Sequence, residues 1–130
     1  VVVALALAGI HVLESRQNEN FRAMTVFAAR GSDASTLFLF PWEANRNTYR
    51  VYLEKFLPGA DLRSRMVGIS SPGEAVQVCE RLRESNHVAV IAHHSGRDLI
   101  DAVHASCGSQ WPQRSRAKFH GTFAETWRTQ

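Results

Sequence analysis

Apolar residues in this chain follow two rhythms. Short, nearly uninterrupted runs occur at Thr36–Phe40 (TLFLF), Arg65–Ile69 and His87–Ala92 (HVAVIA). Runs of that length, rich in strand formers, suit strands buried on both faces. Between them, apolar positions recur at helical spacing. Phe21, Met24, Phe27 and Ala28 form one stripe, with Arg22 and Arg30 turned outward, Asn18 or Asn20 as cap and Gly31 at the end. A second stripe, Tyr49, Leu53 and Phe56, lies in a helix expected from about Ala44 to Leu57 and stopped by Pro58-Gly59. A third carries Ala75, Val76, Val78, Cys79 and Leu82 behind a capping box of Ser71, Pro72 and Glu74. A fourth, Arg97–Cys107, turns Leu99, Ile100 and Val103 inward and ends at Gly108. Lys118–Trp127 reads as one closing strand, antiparallel at an edge as an option, with Gly121 at a bulge or bend.

Strands alternating with helices at this spacing predict right-handed crossovers and helices on both faces of a sheet. The expected fold is therefore α/β: a three-layer, Rossmann-like sandwich with a small, mostly parallel sheet of three to five strands. Residues 15–130 form a single domain, and residues 1–14 an apolar leader. The leader, VVVALALAGIHVL before Glu14, is shorter than the roughly 20 residues that span a bilayer. It reads as a buried strand, a buried helix, or the last turns of a membrane helix.

Composition narrows the picture only modestly. The hydrophobic fraction is 45% and the charged fraction 21%, which excludes disorder. The net charge of +3 is mildly basic, with a local excess at Arg114, Arg116 and Lys118. Aromatic residues fall on apolar stripes rather than among arginines, which argues against nucleic acid as a partner. Cys79 and Cys107 lack zinc-ligand spacing; buried free thiols are the default expectation, with a disulfide as the alternative in an oxidising compartment.

Open parallel sheets bind ligands at the carboxyl ends of their strands. Three such ends are nominated here: Trp42, Glu43 and Asn45 after Pro41; Ser70 with Ser71; and His93, His94, Ser95 and Arg97 with Asp98. In the third, two imidazoles, a hydroxyl, an arginine and a helix start have the chemistry to hold an anion. The same residues also suit a purely structural role, with Ser95 as a helix cap. Adjacent His93 and His94 point to opposite sides of an extended chain, which makes them a poor metal pair. Neither a metal nor a cofactor is expected. No nucleophile elbow, dinucleotide fingerprint or phosphate loop occurs in the sequence.

The layout resembles the C-terminal soluble segment of GT-C-type membrane glycosyltransferases, the polyprenyl-phosphate-sugar-dependent kind that includes protein mannosyltransferase-like and aminoarabinose-transferase-like proteins. Val1–Leu13 is similar to the end of their last membrane helix, and Asn20–Arg30 to the helix that follows. TLFLFPWEAN resembles their first strand and its exit loop, and Tyr49, Tyr52 and Leu53 resemble an aromatic helix. HVAVIAHHSGRD resembles a strand and turn in which His94 takes the place of a histidine. Phe119, His120, Gly121 and Thr122 resemble a closing strand. The likeness covers most of the chain, in short pieces of low specificity. It departs at Ala89, where an aromatic residue is expected, and at the polar Glu125-Thr126-Trp127.

The resemblance implies an accessory domain on the extracytoplasmic side of a membrane. Its partners would be the transmembrane part of the same protein and a lipid-linked sugar. It also implies that the catalytic acid lies in the membrane part, so no catalytic residue carries over to this chain. Two alternatives stand beside it: a free-standing anion-binding or sensor domain, cytoplasmic and soluble, and a small enzyme using His93 or His94 as general base.

Overall fold

The computed structural model describes residues 20–130. The expectations for the apolar leader and for the Asn18 cap lie outside the described residues. Residues 20–29 form helix α1. Then come β1 (Leu37–Pro41), α2 (Arg46–Phe56), α3 (Leu62–Arg65), β2 (Met66–Ile69), α4 (Ala75–Leu82), β3 (His87–His93), α5 (Arg97–Cys107), β4 (Gln113–Phe119) and β5 (Thr122–Arg128). Single 3-10 turns, Glu43–Asn45, Pro72–Glu74 and His94–Gly96, lead into α2, α4 and α5.

The sequence accounts for most of these boundaries. Gly31, at φ +76°, closes α1 in the left-handed conformation that costs glycine least. Glu74 Oε1 accepts the backbone N–H groups of Ser70 and Ser71 at 2.7 and 2.9 Å, which fixes the entry to α4. Met24, Ala28, Tyr49, Leu53, Leu99, Ile100 and Val103 are all buried, as their stripes require. Val76 departs from its expected stripe and is 63% exposed, because α4 buries Ala75, Val78, Cys79 and Leu82 instead.

Five strands form one sheet in the order β2-β1-β3-β5-β4. β1 lies parallel to β2, with Leu39 opposite Val67, and parallel to β3, with Phe38 opposite Ala89. β5 runs antiparallel to both β3 and β4. The protein is thus a mixed α/β fold, and the expected mostly parallel sheet is corrected. The antiparallel ladders hold seven residue pairs each, against four and three in the parallel ones. The expected single closing strand is a hairpin: His120-Gly121 make the turn, and Gly121 at φ +78° serves that turn rather than a bulge. Nor is the final strand at an edge, since β5 sits between β3 and β4.

Both faces of the sheet are covered at β1, β2, β3 and β5. Leu39, Val67, Ile69, Val88, Val90, Ala92, Phe123 and Trp127 pack with α4 and α5. Phe38, Phe40, Met66, Ala89, Ile91 and Ala124 pack on the opposite face with α1, α2 and Leu62 of α3. The strictly alternating partition along β1 and β3 is the period-two rule acting on a strand buried on both sides. Burying side chains as large as Phe38, Phe40 and Trp127 contributes roughly 1.5–3 kcal/mol each. Between α4 and α5, Cys79 and Cys107 form a disulfide with Cα atoms 5.9 Å apart. This corrects the default expectation of free thiols: two stripes on separate helices that face the same patch of sheet bring their cysteines together. No described helix is long and apolar enough to cross a membrane.

Candidate functional site

β1 to β2 steps one way across the sheet with α2 on one face. β2 to β3 steps back past β1 with α4 on the other face. Reversal of direction with reversal of face is what right-handed crossovers demand. It puts the topological switch point between the carboxyl ends of β1 and β3, the place where sheets of this kind hold ligands. The exit loops of all three parallel strands meet there. Trp42 N–H donates to Ile69 O at 2.8 Å, and Glu43 N–H donates to Ser70 Oγ at 3.0 Å, so the ends of β1 and β2 are tied together. The end of β3 is pressed against β1 at Gly96, where a side chain would collide with the Pro41 ring and come within 3.5 Å of the Trp42 indole nitrogen.

Trp42 is the most unusual residue of this rim. Its φ of +64° makes it the non-glycine residue with positive φ among those described. A bulky side chain in that region is an outlier that costs of order 1–3 kcal/mol. The tight approach of Gly96 to Pro41 and the two tethers to Ile69 and Ser70 hold it there, and the residue stays 39% exposed at the rim. Of the other predicted residues at this corner, Glu43 is exposed and turned onto Arg46, with which it forms an ion pair. Asn45 is half-buried at the start of α2.

The two adjacent histidines separate as their alternation predicts. His93 faces the α1–α2 side, where its ring lies edge-on to Phe21 with centroids 4.7 Å apart, and its Nδ1 shares a hydrogen bond of 3.2 Å with Tyr49 Oη. Burial, and then the charge of His94, pull its pKa below the usual histidine value. Burial pushes the Tyr49 phenol up to about 12. The pair is therefore a neutral imidazole and a neutral phenol at neutral pH, packed as an interior polar contact. Thr122, the register partner of His93 on β5, buries a hydroxyl with no hydrogen-bond partner among the described residues. His94 is exposed and its ring lies on the other face, 5.8 Å from that of Phe123. Ser95 and Arg97 are also exposed, and Arg97 leans along its own helix toward Asp101 at 3.8 Å. His93, His94 and Arg97 thus diverge rather than converge on one anion. Among the described residues, no group of three His, Cys, Asp or Glu side chains is placed to hold a metal ion.

Comparison with known proteins adds nothing to this geometry. No family model, curated protein or solved structure matches the chain. Sequence reasoning nominated Trp42, Glu43, Asn45 and Ser70, and the structure brings them to one corner. It did not single out Gly96 or the Tyr49–Phe21 nest around His93. The glycine between a β-strand exit and a helix start was the available signal for Gly96, since close backbone approach is one reason for glycine at such a place.

Proposed function

We propose that this chain is an extracytoplasmic accessory domain of a membrane glycosyltransferase that draws sugar from a polyprenyl-phosphate donor. In this reading the domain contributes a recognition rim, while the groups that break and make bonds lie outside it. The observation that carries the reading is the Cys79–Cys107 disulfide. Disulfides persist in oxidising compartments outside the cytosol, and this one joins the helices of a domain whose sequence opens on an apolar run. The Trp42 corner supports the recognition role. A strained, exposed indole with the polar residues Glu43 and Asn45 next in sequence offers a flat apolar face, which suits the apolar face of a sugar ring.

The test uses the full-length membrane protein in its native cells. Trapping thiols with a maleimide before lysis is expected to find Cys79 and Cys107 unreactive until reductant is added. Sugar transfer from a polyprenyl-phosphate donor in isolated membranes is expected to drop at least tenfold for Trp42→Ala, with the protein still folded and inserted. Freely alkylated cysteines in intact cells, or transfer unchanged by Trp42→Ala, would refute the reading.

A further inference from the structure

The second feature of the molecule that its fold does not use lies along α1. A groove of about 450 Å³ runs beside this helix, lined by Arg22, Ala23, Val26, Phe27, Arg30 and Phe119. Four of its lining residues are apolar and two are arginines. Arg22 and Arg30 are eight residues apart, about 12 Å along a helix. Neither forms a salt bridge among the described residues; the Arg22 guanidinium lies over the Phe56 ring, 6.0 Å from its centroid. The groove lies over the part of the sheet that α1 and α2 leave open, where Ser115 is exposed and Ala117 and Phe119 only half-buried. A third arginine, Arg128, reaches the far end of α1 and donates to Gly31 O at 3.1 Å.

We infer that this face of α1 docks on a bilayer surface carrying anionic headgroups. Two arginines without a carboxylate partner among the described residues, on a helix face with Ala23, Val26 and Phe27, match the two signals that interfacial binding needs: buried apolar area and attraction to negative lipid. Long basic side chains lay their methylene stems on apolar surface while the charged ends meet phosphate. The apolar Val1–Leu13 run leads into α1 within seven residues, so the helix that carries the groove is the element nearest in sequence to the most hydrophobic stretch of the chain. The inference stands apart from any transfer reaction. Vesicle binding by a chain without glycosyltransferase activity would keep it, and loss of transfer with vesicle binding intact would touch only the reading above.

The experiment is co-sedimentation of the full 130-residue chain with vesicles of phosphatidylcholine alone and of phosphatidylcholine with 30% phosphatidylglycerol. Partitioning into the anionic vesicles is expected to exceed that into neutral ones at least tenfold, and to fall in high salt. Arg22→Gln with Arg30→Gln is expected to lower anionic partitioning about thirtyfold, since each basic residue near such a surface is worth about fivefold. It should leave neutral-vesicle binding where it was. Arg22→Lys with Arg30→Lys should keep the binding, which separates charge from fold. Arg83→Gln with Lys118→Gln, an equal loss of charge elsewhere, should change it less than threefold. Equal binding of the wild type to both vesicles would overturn the inference, as would equal losses in the two Gln pairs. So would a wild-type dimer in sedimentation that Arg22→Gln with Arg30→Gln abolishes, because the groove would then belong to a second copy.

Discussion

The two halves of the sheet are held by different physics. In the half made of β2, β1 and β3, the inward and outward residues are almost all apolar and helices cover both faces. In the β5–β4 half, the centre is a carboxylate. Glu125, fully buried between Phe123 and Trp127, accepts hydrogen bonds from Arg114 Nε at 2.7 Å, Arg116 Nε at 2.9 Å and Trp127 Nε1 at 2.9 Å. Burial alone would raise its pKa, yet the bonds from Arg114, Trp127 and Arg116 and the charge of Arg114 hold it below the usual glutamate value. Asp101 of α5 stands 3.7 and 3.9 Å from the same two arginines. The parallel half gets its stability from area removed from water. The antiparallel half gets its strand partner from charge geometry, which fixes register more than it adds stability.

The largest expected effect breaks the charged half. Glu125→Ala leaves the buried Trp127 Nε1 without its acceptor and two half-buried arginines with only Asp101 as counter-charge, and should cost about 3–5 kcal/mol in a denaturant titration. Glu125→Leu combined with Arg114→Met and Arg116→Met should recover most of that loss; if it does not, the cluster adds net stability and the contrast drawn here is wrong. In the apolar half, Cys79→Ala with Cys107→Ala opens a loop with a sequence separation of 28. On the chain-entropy account this should cost about 3–4 kcal/mol, read as a lower midpoint matched by the reduced wild type. Gly96→Ala forces a side chain against Pro41 and should cost about 1–3 kcal/mol. Near-UV circular dichroism should register it through Trp42.

The smallest effect concerns protons. His87 is buried at the start of β3, its Nδ1 2.8 Å from Thr36 Oγ1 and its Nε2 without a partner among the described residues. Burial, then the charge of Arg128, lower its pKa from 6.5. The unfolded chain then binds more protons than the folded one below about pH 6.5, so stability falls as pH drops through that region. His93 and His104, lowered chiefly by burial, act in the same direction. His87→Gln should make the slope of stability against pH between 6.5 and 5 shallower without abolishing it. An unchanged slope would assign the acid sensitivity to the other two.

The same division explains what could be read in the sequence. TLFLF and HVAVIA announced β1 and β3 because strands buried on both faces need unbroken apolar runs, and the stripe of α5 matched its observed span. β4 gave no such signal. QRSRAKF is an edge strand with all its residues exposed or half-buried, and its side-chain anchor is Glu125, eleven and nine residues away from its two arginines. A long-range ion cluster leaves no periodicity to detect, so the hairpin was read as one strand and the sheet as mostly parallel. At the rim, residue types located Trp42, Glu43, Asn45 and Ser70, because the switch-point rule depends only on strand order. The positive φ of Trp42 was hidden, since it is imposed by Gly96 and by tethers to β2 rather than by its own neighbours.

Inserting β5 between β3 and β4 has a kinetic consequence. Seven residues near the end of the sequence form an interior strand, flanked by partners made earlier. Until Thr122–Arg128 has been synthesised, the outer side of β3 is an open hydrogen-bonding edge beside an apolar surface. During synthesis the domain therefore stays unfinished until β5 is made, with that exposed edge as its point of greatest vulnerability to aggregation and proteolysis.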